Sequence, residues 1–163
     1  MEWHAGARPT HAAWQGRVYN KEELTTVCGL GSVTGLLGAN CYHMYYPFVE
    51  GISERNWTDE WLEEQNRKES IPKTFNGKEH TLYEAKQQQR KMETAMRAQR
   101  EKAVLLKQGG ADPKDVMLAK AKYQGQLGEY ARFCKRMGLQ QERERIYYDM
   151  RGRVAPVPKR FRR

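Results

Sequence analysis

Four side chains with strong metal-donor chemistry fall in the stretch from His11 to His43: His11, Cys28, Cys41 and His43. Imidazole nitrogen and thiolate sulfur are the donors tetrahedral zinc prefers, and two of each form one of its common structural sets. Between the cysteines lie Gly29, Gly31, Gly35 and Gly38. Glycine lets a backbone turn tightly enough to bring distant donors onto one ion. The spacing is not that of a zinc finger, since there is no Cys-x-x-Cys pair and no His-x(3–5)-His pair. The residues are read as a single structural Zn2+ site formed by His11, Cys28, Cys41 and His43, with His4 the alternative to His11. The competing reading is two buried free thiols, because free cysteines are usually buried. It is set aside because so Gly-rich a segment is expected to bury them poorly. A catalytic zinc keeps an open position beside a general base. Four donors would close this site, and no His-x-Glu or His-Glu-x-x-His motif supplies the base. The expectation is therefore no catalytic residues and no enzyme.

The elements around these donors divide into three parts. Residues 1–56 read as an irregular head that the metal staples together. Pro9 fixes an extended or turn conformation, and a helical turn is expected from Thr10. Trp3 and Trp14 are expected to cap a small core around the ion. Asn40 to Val49 is crowded with aromatics and interrupted by Pro47, so it reads as irregular with short extended pieces. A small region of this kind often needs such a staple.

Residues 57–150 read as helical. Thr58 is a credible N-cap for a helix through residue 69, with Asp59 and Glu60 in its first turn. Asn76-Gly77 is a strong hairpin signal and predicts a small β-ribbon at about residues 74–81. His80 is expected to be exposed there. Apolar residues from Leu82 to Leu105 recur at helical spacing, and Gly109-Gly110 ends that run. A second helix starts at Asp112-Pro113 and stops at Gly138, with Val116, Tyr123, Leu127, Tyr130, Cys134 and Met137 as its stripe. Joined by a short link, residues 82–107 and 112–137 predict a long antiparallel helical hairpin. Cys134 lies on the stripe and reads as core. Residues 140–150 predict a short helix with Ile146 and Tyr147 turned inward. The fold class is thus mainly α, with the stapled head and one small ribbon.

The chain has 163 residues and a net charge of +9. Such a surplus favours an acidic partner. The last 13 residues, 151–163, contain six basic residues and no acidic one; they read as a flexible basic tail. Candidate partner-binding or nucleic-acid-binding residues are Arg90, Lys91, Arg97 and Arg100 on the first long helix and Arg151, Arg153, Lys159, Arg160, Arg162 and Arg163 in the tail. No base-reading motif is present, so the expected main partner is a protein, with weak, non-specific binding of nucleic acid. Three cysteines make no disulfide framework, and no apolar run reaches membrane-spanning length. A soluble intracellular protein without a membrane partner is expected.

The segment Trp3-His4-Ala5-Gly6-Ala7-Arg8-Pro9-Thr10-His11-Ala12-Ala13-Trp14-Gln15-Gly16, then Cys28-Gly29, then Asn40-Cys41-Tyr42-His43 with Pro47-Phe48, resembles the C-terminal part of tailed-phage minor capsid proteins of the Mu F-like head-morphogenesis group. Tyr83-Glu84-Ala85 and Tyr130-x-x-Phe133-Cys134 extend the resemblance over nearly the whole chain. It implies a role in the virion or in capsid assembly rather than catalysis; together with the donor set, the expected function is a non-enzymatic zinc-binding interaction module that contacts capsid or portal components. Chains of that group carry a long part ahead of this region, whereas this sequence begins just before the motif. The alternative is therefore a stand-alone phage inhibitor of host defence, of the anti-CRISPR type, that binds an RNA-guided nuclease and blocks DNA loading. The corresponding locations are the virion or the host cytoplasm.

Overall fold

The computed structural model describes residues 1–149 and 152–153. The chain divides into two compact units, Met1–Thr74 with Glu79–Tyr83, and Phe75–Lys78 with Glu84–Arg163.

The first unit holds three helices, α1 (Pro9–Ala12), α2 (Lys21–Thr26) and α3 (Asp59–Ser70), joined by long irregular segments. Pro9 stands at the start of α1, where its missing N–H costs nothing, and Arg8 is the N-cap. The turn thus begins two residues earlier than a Thr10 cap would allow. A capping box starts α2: the Asn20 side chain accepts from Glu23 N, and the Glu23 carboxylate accepts from Asn20 N. The Thr58 hydroxyl caps α3 by accepting from Trp61 N at 3.2 Å. Trp14, Cys28 and Leu36 form the small core of this unit, with Met1, Tyr19, Leu24, Leu30 and Cys41 packed against it. The α3 helix is tied to the N-terminal segment by Asn66 Nδ2 donating to Ala12 O, Gly6 N donating to the Glu69 carboxylate, and an edge-on Trp3–Trp61 contact at 5.0 Å. Gly16 has φ +76, and a Cβ there would press into Leu62 Cδ2, so glycine is what lets buried Leu62 close on the chain.

A hairpin follows, β1 (Lys73–Phe75) and β2 (Lys78–His80), turned by Asn76 at φ 49 and Gly77 at φ 77. Two left-handed residues match the right-handed twist of the strands. His80 is buried at 6% exposure, contrary to the sequence expectation; it is the one buried residue of β2, although Lys78 on the same face is exposed.

The second unit is the hairpin of α4 (Leu82–Gln108) and α5 (Pro113–Met137), followed by α6 (Glu144–Tyr147) and the short pair β3 (Tyr148–Asp149) and β4 (Gly152–Arg153). Asp112 caps α5 by accepting from Lys114 N, and Gly138 ends it at φ 74. Ala85, Met96, Tyr130, Phe133, Cys134, Met137 and Ile146 make its core. A polar network runs through that core. Tyr130 donates to Glu93 Oε1 at 2.8 Å and accepts from Glu142 N at 2.8 Å and from Gln89 Nε2 at 3.3 Å. Gln89 Nε2 also donates to Gln140 O at 2.7 Å. These bonds fix the two helices and the turn after α5 in one register, which apolar packing alone would leave free to slide.

Arg100 does not face a partner as the sequence suggested. It is 5% exposed, on the same α4 face as Met96 and Ala103, with its guanidinium 5.4 Å from the ring of Tyr147. Arg90 and Lys91 are exposed and Arg97 is half-buried. Arg151, Lys159, Arg160, Arg162 and Arg163 lie outside the described residues, and for Arg153 only the backbone is described.

Two outcomes follow. Tyr130→Phe leaves Gln89, Glu93 and the Glu142 amide without this partner, and equilibrium unfolding should show a loss of about 1–3 kcal/mol; an unchanged midpoint would contradict the network. Burial holds the Glu93 carboxyl above its ordinary value of 4.5, only partly offset by the Tyr130 hydrogen bond. A raised acid is favoured in the fold while protonated. Its stabilising contribution is therefore complete below 4.5 and is lost as pH climbs through the folded value. Paired urea titrations should show Glu93→Gln gaining on the parent as pH rises above 4.5; a pH-independent difference would contradict this.

Candidate metal centre

The α1 turn presents His11, and the extended segment after the glycine loop presents Cys41 and His43. Their donor atoms form one group: every pair lies within 4.8 Å. The two Nδ1 atoms are 3.4 Å apart, and Cys41 Sγ lies 3.8 Å from His11 Nδ1 and 3.7 Å from His43 Nδ1. A tetrahedral zinc with Zn–N of about 2.0–2.1 Å and Zn–S of about 2.3 Å would set these edges at about 3.3 and 3.6 Å. The three donors therefore stand close to the positions an ion would require.

The outer hydrogen bonds fix the protonation state. His11 Nε2 is 2.9 Å from Thr34 O, a backbone carbonyl that can only accept. His43 Nε2 is 2.9 Å from Gln15 Oε1. That Gln15 atom must be the oxygen, because the His4 backbone N–H also donates to it at 2.9 Å. Both histidines thus carry their proton on Nε2, and both Nδ1 lone pairs point into the group. Facing lone pairs repel unless a cation or a shared proton lies between them. Burial holds both imidazoles against protonation: His43 is pushed down to about 4 by desolvation and then by His4 and His11, and His11 is lowered chiefly by desolvation. A neutral imidazole whose second N–H is held by an oxygen is the usual form of a metal-ligating histidine.

Trp14 seals the group, with its ring 4.5 Å from that of His11 and 5.0 Å from that of His43. This agrees with the capping role expected for it. Gln15 is 2% exposed, and among the described residues its Nε2 has no hydrogen-bond partner, while its Oε1 holds two donors. Arg8 donates to Ala39 O at 2.8 Å and to Asn40 O at 3.2 Å, which anchors the backbone just before Cys41; Asn40 itself turns at φ 55.

Three of the four sequence-assigned ligands come together; Cys28 does not join them. Its side chain is 1% exposed beside Trp14 and Leu36, and desolvation pushes its thiol up to about 11. A ligand must be a thiolate, and this apolar wall opposes one. The glycine loop buries Cys28 well, contrary to expectation. Gly29 turns at φ +68 and Gly35 packs so tightly on it that a Cβ at Gly35 would collide with Gly29 O. The loop then returns Leu36 N to Cys28 O at 2.8 Å. His4 is a neighbour rather than a member of the group: its ring is edge-on to His43 at 4.9 Å, and its Nε2 is 3.1 Å from Tyr42 O and 3.4 Å from Glu2 Oε2.

Sequence reasoning missed the outer residues Gln15 and Thr34. The His-Ala-x-x-Gln-Gly spacing contained the first: ligand and amide stand four residues apart, on one side of a helical turn.

A family model described as phage minor capsid protein 2 matches residues 2–132. The chain belongs to this family. No curated protein and no solved structure was found to match it. The matched span contains the whole donor group, its outer shell and most of the helical hairpin. Membership ties the chain to the phage head and to the other proteins of the virion, as the resemblance implied. No helix among the described residues is long and apolar enough to cross a membrane.

Zinc titration of purified variants separates the two ligand sets. Cys28→Ala should keep one equivalent of zinc, Cys41→Ser and His43→Ala should lose it, and Gln15→Leu should weaken it about 10–100-fold. Loss of zinc in Cys28→Ala with Cys41→Ser unaffected would reverse the assignment.

Proposed function

We propose that this chain is a non-enzymatic phage head component, in which one zinc ion staples the first unit and the aromatic segment beside the ion docks a protein of the virion. The donor group is the observation that carries the reading. It supports a staple because the three ligands come from segments with little regular structure, and metal-binding energy in such a site is folding energy. His11, Cys41 and His43 would hold the ion, leaving the fourth position to water or to a partner's donor. The ion's role there is to fix the backbone path of residues 41–43.

That path leads directly into an exposed apolar run. Tyr42, Met44, Tyr45, Tyr46, Phe48, Val49 and Ile52 are all exposed, with Tyr42 at 65% and Ile52 at 81%. So much clustered apolar surface on one segment favours an interaction site over a solvated loop. The segment is also held in shape. Glu2 N donates to Met44 O at 3.0 Å, Met44 N donates to Glu2 Oε2 at 3.3 Å, and the Tyr46 hydroxyl donates to Glu2 Oε1 at 3.0 Å. A preorganised aromatic surface loses little freedom on binding.

With three ligands the fourth position stays open, so closure of the site no longer argues against catalysis; the case against it rests on the carboxylate beside the group. Glu2 is the carboxylate beside His4, and the Tyr46 hydrogen bond holds its pKa below the ordinary value. A carboxylate so occupied is a poor general base. Family membership favours the head role over the stand-alone inhibitor of host defence.

The test is incorporation into phage heads of chains carrying Tyr42→Ala, Met44→Ala and Ile52→Ser. Metal content should stay at the parent level while incorporation falls roughly thirtyfold or more, as expected when anchors worth about 2 kcal/mol are removed. Normal incorporation of the triple variant would contradict the docking role.

A further inference from the structure

The net charge of +9 conceals a sharp division between the two units. Met1–Thr74 with Glu79–Tyr83 contains seven Lys and Arg against eleven Asp and Glu, a net −4; Phe75–Lys78 with Glu84–Arg163 contains 22 against nine, a net +13. At physiological ionic strength the Debye length is about 8 Å. A ligand at the surface of either unit therefore meets that unit's charge rather than the chain's average.

Six of those 22 cations, at residues 151–163, have no described side chain; among the described residues the surplus of the helical unit is on its outside. On α4 and α5 together, ten exposed Lys and Arg stand against four exposed Asp and Glu. Lys91 and Lys102 lie on the side of α4 opposite Ala85, Met96 and Ala103, and Arg132 and Lys135 are exposed on α5. Lys91, Lys102, Lys120 and Lys122 are exposed, and among the described residues their side chains have no ion-pair or hydrogen-bond partner. Glu93, which would offset this charge at the surface, is buried against Tyr130.

This distribution distinguishes between two kinds of acidic partner. A protein interface needs a dehydrated apolar centre with charges at its rim. The exposed large hydrophobics described in this unit are Leu105, Met117 and Leu118, all near the α4–α5 turn. Around Arg90, Lys91, Arg132, Lys135 and Arg136 there is no such centre among the described residues. Binding to phosphates needs none, because its free energy comes from counterion release by spread-out cations.

We propose that the α4–α5 unit binds the phosphate backbone of duplex DNA without reading its sequence, while the acidic first unit is repelled by it. This goes beyond the head role proposed above and does not depend on the metal. It gives the chain two partners of different chemistry: nucleic acid for the helical unit and protein for the stapled one.

The test uses the full chain and fluorescence anisotropy with a labelled duplex of arbitrary sequence over a potassium chloride series. Affinity should fall steeply and log-linearly with salt and should not change when the duplex sequence is changed. Replacing Lys91, Lys102, Lys120 and Lys122 together by Glu should weaken binding roughly tenfold or more and flatten the salt slope. Arg at the same four positions should leave both unchanged. Should circular dichroism show that the Glu variant is misfolded, Gln at those positions gives a smaller loss in the same direction. Three results would overturn the proposal: no saturable salt-dependent binding, parental affinity in the Glu and Gln variants, or stronger binding to polyglutamate than to DNA of equal charge.

Discussion

Two imidazole nitrogens with their lone pairs aimed at each other across 3.4 Å, and a thiol closing the triangle, set the terms for the first unit. Neither histidine can turn its proton inward, because Thr34 O and Gln15 Oε1 already take it on the outer side. Burial makes a positive imidazole costly. The arrangement suits a cation among the three donors, and the surrounding segments bring those donors together. Pro9 starts the turn that carries His11, the glycine loop returns the chain, and Arg8 holds the backbone ahead of Cys41.

The second unit rests on a different principle. Its helices have enough length and periodicity to bury a continuous apolar core. What it needs is register, and the bonds of Tyr130 to both neighbouring elements supply it at the cost of a buried carboxylate. The two solutions leave different surfaces. The first unit exposes aromatics on a hydrogen-bonded backbone; the helical unit turns most of its cations outward, with buried Arg100 the exception.

Local chemistry explains which features were legible from the sequence. Asp112-Pro113 and Gly138, Thr58, and Asn76-Gly77 each do the structural work that their residue types suggest, since caps and turns depend on neighbours only a few residues away. The α2 capping box was equally local, but it was hidden by the irregular, glycine-rich context that follows. Three of four donors were legible for the same reason that the family motif is: type and spacing. Cys28 was not, because its exclusion depends on Trp14 and Leu36 walling it off, a contact between distant segments. His80 and Arg100 failed alike. Their polarity argued for the surface; the packing of the folded chain buries His80 at the end of β2, and helix phase turns Arg100 inward.

The central claim is that the ion sits among one sulfur and two nitrogens of the chain. X-ray absorption at the zinc edge of the loaded protein measures this directly. The account predicts a single sulfur at about 2.3 Å with the remaining scatterers nitrogen or oxygen at about 2.0–2.1 Å, and imidazole multiple scattering from two rings. A two-sulfur shell would return Cys28 to the site, and an all-oxygen shell would show the zinc held elsewhere; either result would contradict the account.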